Sequence, residues 1–428
     1  MTRKWLCTLG ILAIGAAVSG SQRWLGPSER GLSTDGVVTE FPLPNPGSGP
    51  TTIALTEDGT LWFTESAGNR IGRMRPDGTG LTEFPLPNPS SSPRIIAVGS
   101  DGNLWFSEHT GNRMGRITPA GVISEYPIPT PNAFPRAIAL GGDGNIWFGE
   151  FGVGKIGKIT PQGVITEYPI PTPDSGPRAL AAGPDGNIWF SEFHASKIGR
   201  ITPAGQITEY AIPTPDSFPR AIALGPDGNI WFGEFGAGKI GKITPAGVIT
   251  EYPIPTPDSG PRALAAGPDG NIWFSEFNAS KIGRITPDGT ITEFTLPRPN
   301  SGPGDITAGT DGNMWFLELN GQMDGRKVDG NRVGRITMNG TITEFQIPSA
   351  TGSPTNIAVG PDRNIWFTKG GVVGKVVPDG TITEVPMPPN SGGTGLTAGS
   401  DRQTPKRLSN RLWVASAAGN KLLFLTFK

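Results

Sequence analysis

The sequence contains few of the residues on which disulfide and metal sites usually depend. Its 428 residues include one cysteine and two histidines, which excludes a disulfide framework, a cysteine-based metal site and a multi-histidine zinc site. Neither positive nor negative charge is in excess, because the chain has 36 Lys and Arg residues and 37 Asp and Glu residues. A near-neutral chain without a basic, aromatic-rich run is not typical of nucleic-acid-binding proteins.

Long apolar runs are also missing, except near the N-terminus. Thr2 to Lys4 form a short basic region, and the uncharged run from Trp5 to Gly20 follows it. As a helix this run spans about 24 Å, less than the roughly 30 Å hydrocarbon core of a bilayer. Residues 1–21 are therefore predicted to be a signal peptide, with an uncleaved N-terminal anchor as the alternative interpretation. The protein is expected to be secreted, periplasmic or attached to the cell surface.

Glycine and proline are abundant, with 63 and 44 residues, and they recur at regular intervals together with tryptophan. One unit comprises four short β-type runs, 136–141, 145–150, 155–160 and 164–170, separated by turn residues such as Asp143-Gly144. We label these runs strands A to D. The tryptophan of strand B repeats nine times, mostly 42 residues apart, at Trp62, Trp105, Trp147, Trp189, Trp231, Trp273, Trp315, Trp366 and Trp413.

Four antiparallel strands in about 42 residues are typical of one blade of a β-propeller. The sequence therefore predicts an all-β fold, a single propeller domain over residues 37–428 with nine blades, or seven or eight as the fallback count. The last unit supplies strands A, B and C at 394–399, 411–416 and 421–427, and then the chain ends. We expect Val37–Leu43 to supply its fourth strand and so to close the ring. The tryptophans are predicted to pack between neighbouring sheets.

Strand direction places the variable D–A and B–C loops on one face, where a binding site is expected. Arginines directly follow a proline at the start of strand A in five consecutive blades, at Arg94, Arg136, Arg178, Arg220 and Arg262. Glutamates end strand B in blades one to seven, at Glu65, Glu108, Glu150, Glu192, Glu234, Glu276 and Glu318. These residues form either an ion-pair network between blades or a site in which guanidinium groups bind carboxylate or phosphate. For ligand binding we single out the five arginines with Glu150, Glu234 and Glu276.

Both histidines lie just after such a glutamate, His109 after Glu108 and His194 two residues after Glu192. A neutral imidazole is a suitable general base, so these four residues are the candidate catalytic groups; exposed loop histidines are the alternative interpretation. His194 is also distinctive because the nearly identical unit two blades later has Asn278 in its place. Blade seven carries about nine extra residues in its B–C loop, which either cover a ligand or form a tolerated insertion.

The repeat Gly-Pro-Asp-Gly-Asn-Ile-Trp-Phe-Ser-Glu, continued by Lys-Ile-Gly-Arg-Ile-Thr-Pro, resembles that of the streptogramin B lyase (virginiamycin B lyase) family after residue 36. The resemblance implies a seven-bladed propeller that linearises a cyclic depsipeptide antibiotic by elimination, assisted by Mg²⁺. It also implies catalytic histidines directly after the proline that opens strand A. In this chain that position holds Thr51, the five arginines, Gly304 and Thr355.

Two functions are consistent with these features. The first is an exported, lyase-like propeller that binds a small-molecule or peptide-lactone ligand, of anionic character, through its Arg and Glu face at the central channel. The second is an active carbon–oxygen lyase, acting on streptogramin B-type lactones, in which a glutamate or a histidine is the base and Mg²⁺ the electrophile. The protein is expected to be a monomer, without a nucleic-acid partner and without membrane contact beyond the N-terminal anchor.

Overall fold

The computed structural model describes residues 37–75, 77–323, 326–350, 352–360, 363–369, 372–386, 393–398, 411–416 and 421–426. Every regular element within these ranges is a β-strand, so the all-β prediction is confirmed. No helix in the described part of the chain is long and apolar enough to cross a membrane. The predicted signal peptide lies outside the described residues.

The first sixteen strands run from the N-terminal strand to the middle of the fourth repeat. They are β1 (Val37–Pro42), β2 (Pro50–Leu55), β3 (Leu61–Glu65), β4 (Arg70–Met74), β5 (Thr82–Pro85), β6 (Pro93–Val98), β7 (Leu104–Glu108) and β8 (Arg113–Ile117). They continue with β9 (Ile123–Pro127), β10 (Pro135–Leu140), β11 (Ile146–Glu150), β12 (Lys155–Ile159), β13 (Ile165–Pro169), β14 (Pro177–Ala182), β15 (Ile188–Glu192) and β16 (Lys197–Ile201).

The remaining strands continue the same pattern to the end of the chain. They are β17 (Ile207–Ala211), β18 (Pro219–Leu224), β19 (Ile230–Glu234), β20 (Lys239–Ile243), β21 (Ile249–Pro253), β22 (Pro261–Ala266), β23 (Ile272–Glu276), β24 (Lys281–Ile285), β25 (Ile291–Thr295) and β26 (Pro303–Ala308). They end with β27 (Met314–Met323), β28 (Arg326–Ile336), β29 (Ile342–Gln346), β30 (Pro354–Val359), β31 (Ile365–Lys369), β32 (Val372–Val376), β33 (Ile382–Pro386), β34 (Gly393–Ala398), β35 (Arg411–Ser416) and β36 (Lys421–Thr426).

In the described ranges these strands form nine four-stranded sheets. Eight sheets follow chain order, as in β10-β11-β12-β13, and neighbouring strands are antiparallel. We call them blades 1 to 8 from β2–β5 onwards. The repeated antiparallel four-stranded unit predicted from the sequence is thus confirmed. The first strand of each blade lies against the first strands of the adjacent blades, as the innermost strands of a propeller do.

The ninth sheet combines the two ends of the chain in the order β1-β36-β35-β34. Strand β1 pairs antiparallel with β36 from Val37 opposite Thr426 to Pro42 opposite Lys421. Strand β34 lies against β30 of blade 8 on one side and β2 of blade 1 on the other. The N-terminal strand therefore supplies the outer strand of the last sheet, as the sequence indicates.

The hydrophobic core lies between neighbouring sheets. Trp147 of blade 3, for example, is buried in one cluster with Ile188 and Phe190 of blade 4. Its indole Nε1 donates a hydrogen bond to Oδ1 of Asp143 in the Asp-Gly turn at 3.1 Å. The tryptophan of strand B packs against the next blade in this way in blades 1 to 7, as predicted.

The extra residues of blade 7 extend its central hairpin instead of forming an irregular loop. Strands β27 and β28 continue their pairing beyond Glu318 to Met323 opposite Arg326. Asp329 on this extension forms an exposed ion pair with Lys327, at 3.2 Å between Oδ1 and Nζ. The tip at Asp324 lies outside the described residues.

Candidate functional site

The five arginines are displayed by an irregularity at the start of strand A. In blade 3, Pro135 pairs with Glu150 and Ile138 pairs with Phe148, so Arg136 and Ala137 both lie opposite Gly149. This two-against-one count is a β-bulge, which redirects side chains and locally ends regular alternation. The same register shift follows the proline in each of the other four arginine-bearing blades. In blade 3 the bulge directs the large polar side chain of Arg136 away from the buried Ala137.

We name Arg94, Arg136, Arg178, Arg220 and Arg262 the arginine ring. All five side chains are half-buried. Four of them stack on the phenylalanine that follows the strand B glutamate of the same blade, with guanidinium-to-centroid distances of 4.8 to 5.2 Å. These phenylalanines are Phe151, Phe193, Phe235 and Phe277. Stacking fixes the plane of each guanidinium, which is the group that binds planar anions through two parallel hydrogen bonds.

The members of the arginine ring lie close enough to affect each other. Burial lowers the pKa of Arg136 most, and the charges of Arg94 and Arg220 lower it further. The effect of Arg220, which belongs to a blade two positions away, is consistent with side chains that converge on the central opening and do not point outward. A cluster of like charges favours the binding of an anion.

Asp305 is a channel residue that the sequence analysis missed. It lies one position after Gly304 on the innermost strand of blade 7, and its side chain is exposed. Water reaches it, yet protein surrounds it on most sides, so burial raises its pKa while the charges of Arg262 and Arg220 act in the opposite direction. The opening therefore has an arginine-rich side and a carboxyl group beside it. Only the interruption of the Pro-Arg-Ala pattern could have indicated this residue.

The strand B glutamates occupy a different environment. We name Glu65, Glu108, Glu150, Glu192, Glu234, Glu276 and Glu318 the buried carboxyl layer, since each has 0% exposed surface. Burial is the main cause of raised pKa values, from about 7 for Glu108 to about 9 for Glu192 and Glu276. Glu150, Glu234 and Glu276, which the sequence analysis singles out for ligand binding, therefore lie below the surface in the folded chain. The same holds for Glu108 and Glu192, the candidate catalytic glutamates.

Each buried carboxyl group has a second carboxyl group beside it. In blade 4, Glu192 lies next to Glu209 of strand D, which raises the pKa of Glu192 after the larger effect of burial. Glu209 is ion-paired with Lys197 at 3.2 Å, and its backbone partner Thr172 belongs to the preceding D–A loop. No well-aligned hydrogen bond from the described residues satisfies the oxygens of Glu192. A protonated Glu192 beside an ionised Glu209 therefore fits this arrangement.

His109 lies at the position that phenylalanine occupies in the next four blades. Its ring contacts Phe134 with a centroid distance of 5.4 Å, and its Nδ1 lies 3.4 Å from the carbonyl oxygen of Pro135. A carbonyl only accepts hydrogen bonds, so this contact favours the tautomer with a proton on Nδ1 and a basic Nε2. Burial lowers the pKa of His109, and the nearby charges of Arg94 and Arg136 lower it further. The imidazole is thus held neutral beside the arginine ring.

His194 has a local structural role that its counterpart reproduces. Its Nδ1 lies 3.2 Å from the carbonyl oxygen of Asp174, while Nδ2 of Asn278 donates to the carbonyl oxygen of Asp258 at 3.0 Å. The side chain of His194 is exposed on the loop. Since an asparagine makes the same bond two blades away, the geometry favours the loop interpretation of His194 over the catalytic one.

The described residues do not fit the magnesium ion that the resemblance implies. They contain no group of three or more His, Cys, Asp or Glu side chains placed to hold a metal ion. Magnesium is usually held through one or two carboxylates, but Asp305 lies in the field of Arg220 and Arg262, which opposes the approach of a divalent cation. The chemistry available near the arginine ring is that of guanidinium groups, aromatic rings, the imidazole of His109 and the carboxyl group of Asp305.

Comparison with known proteins identifies the relatives of this repeat. The profile of the virginiamycin B lyase family matches residues 30–179, 153–330 and 320–422. The chain belongs to this family. Virginiamycin B lyase from Bordetella pertussis is 51% identical over 41 residues, about one repeat, which is 10% of this chain and 14% of that protein. The corresponding enzyme from Bacillus licheniformis is 46% identical over 41 residues, with the same coverage.

Solved lyase structures align over a larger part of the chain. A streptogramin B lyase structure is 41% identical with a TM-score of 0.50, and the match covers 66% of this chain and 94% of that one. Virginiamycin B lyase from Staphylococcus aureus is 37% identical with a TM-score of 0.50, over 72% of this chain and 99% of that one. A catalytically inactive histidine-to-alanine variant of the S. aureus enzyme, solved with quinupristin, is 40% identical, with a TM-score of 0.50 and coverage of 66% and 96%.

Proposed function

We propose that this virginiamycin B lyase family member is a closed ring of nine blades that binds a carboxylate- or phosphate-bearing small molecule at the arginine ring. The pairing of β1 with β36 and the position of β34 between β30 and β2 support closure. The alignment with the S. aureus enzyme, which uses 99% of that chain but 72% of this one, is consistent with a larger ring. A wider ring leaves room for a ligand between the arginines.

The observation that carries the binding proposal is the convergence of the arginine ring. Equivalent bulges present five half-buried arginine side chains. The charges of both Arg94 and Arg220 lower the pKa of Arg136, so these three side chains lie near one another. Holding like charges together is unfavourable in the absence of an anion. A bound carboxylate or phosphate compensates this repulsion and accepts charge-assisted hydrogen bonds from more than one arginine.

The test replaces three members of the arginine ring and measures binding of oxalate and inorganic phosphate by calorimetry. The triple variant Arg136→Gln, Arg178→Gln and Arg220→Gln is expected to lower affinity at least 100-fold, since each charged hydrogen bond contributes about 1.5–3 kcal/mol. The matched control is the triple variant Arg116→Gln, Arg200→Gln and Arg284→Gln. These arginines stack on strand B tryptophans instead.

The control carries the same change of net charge at a distance from the opening. It is expected to retain binding within about threefold, the size of a screened long-range effect. Equal losses in both variants, or no loss in either, would reject the arginine ring as the binding site. Thermal unfolding of both variants verifies that the fold is retained.

The alternative function is that of an active carbon–oxygen lyase, and His109 is the observation that favours it. Its neutral imidazole lies near Arg94 and Arg136. In an elimination, Nε2 of His109 would take a proton from the carbon adjacent to the one that carries the ester oxygen; the electrons of that carbon–hydrogen bond would form a carbon–carbon double bond, and the carbon–oxygen bond would break. The leaving group is a carboxylate, whose charge the guanidinium groups are suited to stabilise.

Quinupristin, the ligand of the S. aureus variant, is the probe for this alternative. Elimination opens the ring without a change of mass, whereas hydrolysis adds one water, and chromatography with mass detection separates the three species. The lyase hypothesis predicts a ring-opened product of unchanged mass that the His109→Gln variant no longer forms. No product with or without added magnesium would leave ligand binding as the function.

We also propose that the mature protein acts outside the cytoplasm. The support is the basic and then apolar sequence of residues 1–21. Expression of the full chain in a bacterial host, followed by N-terminal sequencing of the soluble exported protein, is expected to give a start near residue 22. Retention of the intact N-terminus in the membrane fraction would indicate the anchor instead.

A further inference from the structure

The central blades alternate with a period of two. Residues 134–160 of blade 3 and 218–244 of blade 5 differ at two of 27 positions, whereas 176–202 of blade 4 and 260–286 of blade 6 differ at one. Blades 3 and 5 are therefore near copies, as are blades 4 and 6. Any site built by blade 3 is expected to occur again, two blades further along the ring.

The two kinds of blade differ at the residue before the proline of strand A. This residue has positive φ in all four blades, a conformation that glycine adopts without strain. Blades 4 and 6 have Gly176 and Gly260 there, both with φ of 62°, whereas blades 3 and 5 have Phe134 and Phe218, both with φ of 46°. A bulky aromatic residue in this region is strained, and such strain clusters at functional sites.

A second position changes in step with the first. A Cβ atom on Gly152 would lie 2.5 Å from the Phe134 ring, and one on Gly236 would lie 2.5 Å from the Phe218 ring. In blade 4 the glycine lies in the D–A loop and the large side chain in the B–C loop, because a Cβ on Gly176 would lie 2.6 Å from Nδ1 of His194. One side chain thus fills this space in each blade. Blades 3 and 5 fill it with an aromatic ring from the D–A loop.

The two phenylalanines remain accessible beside the arginine ring. Phe134 is 38% exposed and Phe218 is 36% exposed. Phe134 contacts the ring of His109 at 5.4 Å, and Phe218 contacts the ring of Phe193 at 5.5 Å. Each lies two residues before an arginine of the ring, so an exposed aromatic surface and a guanidinium occur together twice.

We infer that the molecule has two quasi-equivalent subsites for an aryl carboxylate, one at Phe134 and Arg136 and the other at Phe218 and Arg220. This inference rests on the proposed binding of anions at the arginine ring and specifies the class of ligand. The aromatic side chain stacks on the aryl group, and the arginine pairs with the carboxylate. The aromatic neighbour of the phenylalanine differs between the subsites, being His109 in the first and Phe193 in the second.

Equilibrium dialysis and calorimetry with phenylacetate measure the number of sites directly. The wild-type protein is expected to bind two molecules, and Phe218→Gly or Phe134→Gly is expected to leave one. The double variant is expected to lose at least tenfold in affinity for phenylacetate while it keeps oxalate binding within twofold. Glycine is the native residue of blades 4 and 6 at this position, so both substitutions are compatible with the backbone.

Two controls separate stacking from charge and from folding. Cyclohexylacetate keeps the carboxylate without the aromatic ring, and phenylacetamide keeps the ring without the charge; each is expected to bind at least tenfold more weakly than phenylacetate. Thermal unfolding of Phe134→Gly and Phe218→Gly verifies that each variant keeps the fold, as the native glycines of blades 4 and 6 predict.

The possible failures are distinguishable. If Phe134→Gly and Phe218→Gly leave phenylacetate binding unchanged while the triple arginine variant loses oxalate, the twin subsites are rejected and the arginine ring stands. If the triple arginine variant binds oxalate like the wild type, the proposed function and the twin subsites are both rejected. A stoichiometry of one phenylacetate in the wild type also overturns the twin subsites.

Discussion

The arginine ring and the buried carboxyl layer occupy the same face and recur with the same period, one built from basic and the other from acidic residues, yet they occupy different environments. The arginines begin strand A at a bulge and remain half-exposed. The glutamates end strand B in regular pairing and have no exposed surface. Each glutamate is accompanied by a strand D carboxyl group, whereas most arginines stack on a phenylalanine. Repetition alone therefore does not separate a binding surface from an internal structural layer.

The comparison indicates that the two sets of residues have different roles in the fold. The carboxyl layer lies beside strand D glutamates that bind the preceding D–A loop; Glu209, for example, adjoins Glu192 and accepts a hydrogen bond from the backbone N–H of Thr172. The two sets of carboxyl groups together lie next to the contact that holds neighbouring blades together. The arginine ring lies at the start of the innermost strand, where four of its members stack on a phenylalanine of their own blade. We therefore expect changes in the carboxyl layer to affect the free energy of unfolding, and changes in the arginine ring to affect ligand affinity.

The largest expected effect concerns stability and pH. The folded-state pKa values of the carboxyl layer are raised to about 7–9. Stability from these groups is fully present below their unfolded pKa near 4.5 and is lost as pH rises through the folded values. Unfolding free energy is expected to fall by at least about 5 kcal/mol between pH 5 and pH 9. Denaturant unfolding at several pH values measures it.

Glu192→Gln provides the control for this prediction. Glutamine resembles the protonated acid at every pH, and its neighbours Glu209 and Lys197 are unchanged. The variant is expected to match the wild type at pH 5 and to exceed it by about 1–3 kcal/mol at pH 9, because no buried charge has to form. A variant that is destabilised equally at both pH values would show that Glu192 is ionised in the folded protein.

A smaller expected effect is on oxalate affinity, which should depend on the arginine ring and not on the carboxyl layer. Arg178→Gln is expected to weaken oxalate binding about tenfold, since it removes one charged hydrogen-bond donor. Its effect on stability is expected to stay below about 1 kcal/mol, the size of an exposed cation–π contact with Phe193. Glu192→Gln is expected to leave the affinity within twofold. The reverse pattern, with Glu192→Gln weakening binding and Arg178→Gln causing unfolding, would contradict the assignment of the two sets.

The strands of the fold were predictable because local signals determine them. Turn dipeptides such as Asp143-Gly144 and the regular tryptophan spacing predict four strands per repeat to within a few residues. The depth of each side chain was not predictable in the same way. A bulge of one residue between Pro135 and Ile138 changes which side chains face inward, and no sequence pattern records it.

The site was predictable only in part for the same reason. The arginines were identified because they repeat, while Asp305 was missed because it occurs at this position in one blade. His194 attracted attention through its difference from Asn278, but both make the same bond to a loop carbonyl. His109, by contrast, replaces a phenylalanine against which the arginine of other blades stacks. A histidine therefore has to be compared with the residue it replaces in three dimensions.

Asp305 tests whether the opening is an anion site with one opposing charge. Asp305→Asn is expected to strengthen oxalate binding about threefold at pH 8, because it removes a negative charge beside Arg220 and Arg262. The gain is expected to be smaller at pH 5, since the raised pKa of Asp305 leaves more of the wild-type carboxyl group protonated there. Calorimetry at the two pH values measures both. Weaker binding in the variant would indicate that Asp305 holds the arginines in place.

The smallest expected effect is the pH dependence of oxalate affinity, which tests the protonation of His109. Its lowered pKa means that it becomes charged only below the usual titration range of histidine, near 6.5. Oxalate keeps both charges over pH 5.5–8, so a gain in wild-type affinity toward pH 5.5 reports a proton on His109. The gain is expected to be about twofold and to disappear in His109→Phe, which copies the aromatic neighbour of the other subsite. His194→Asn, which copies blade 6, is expected to keep the gain; loss of the gain in this variant would contradict the assignment of the pH dependence to His109.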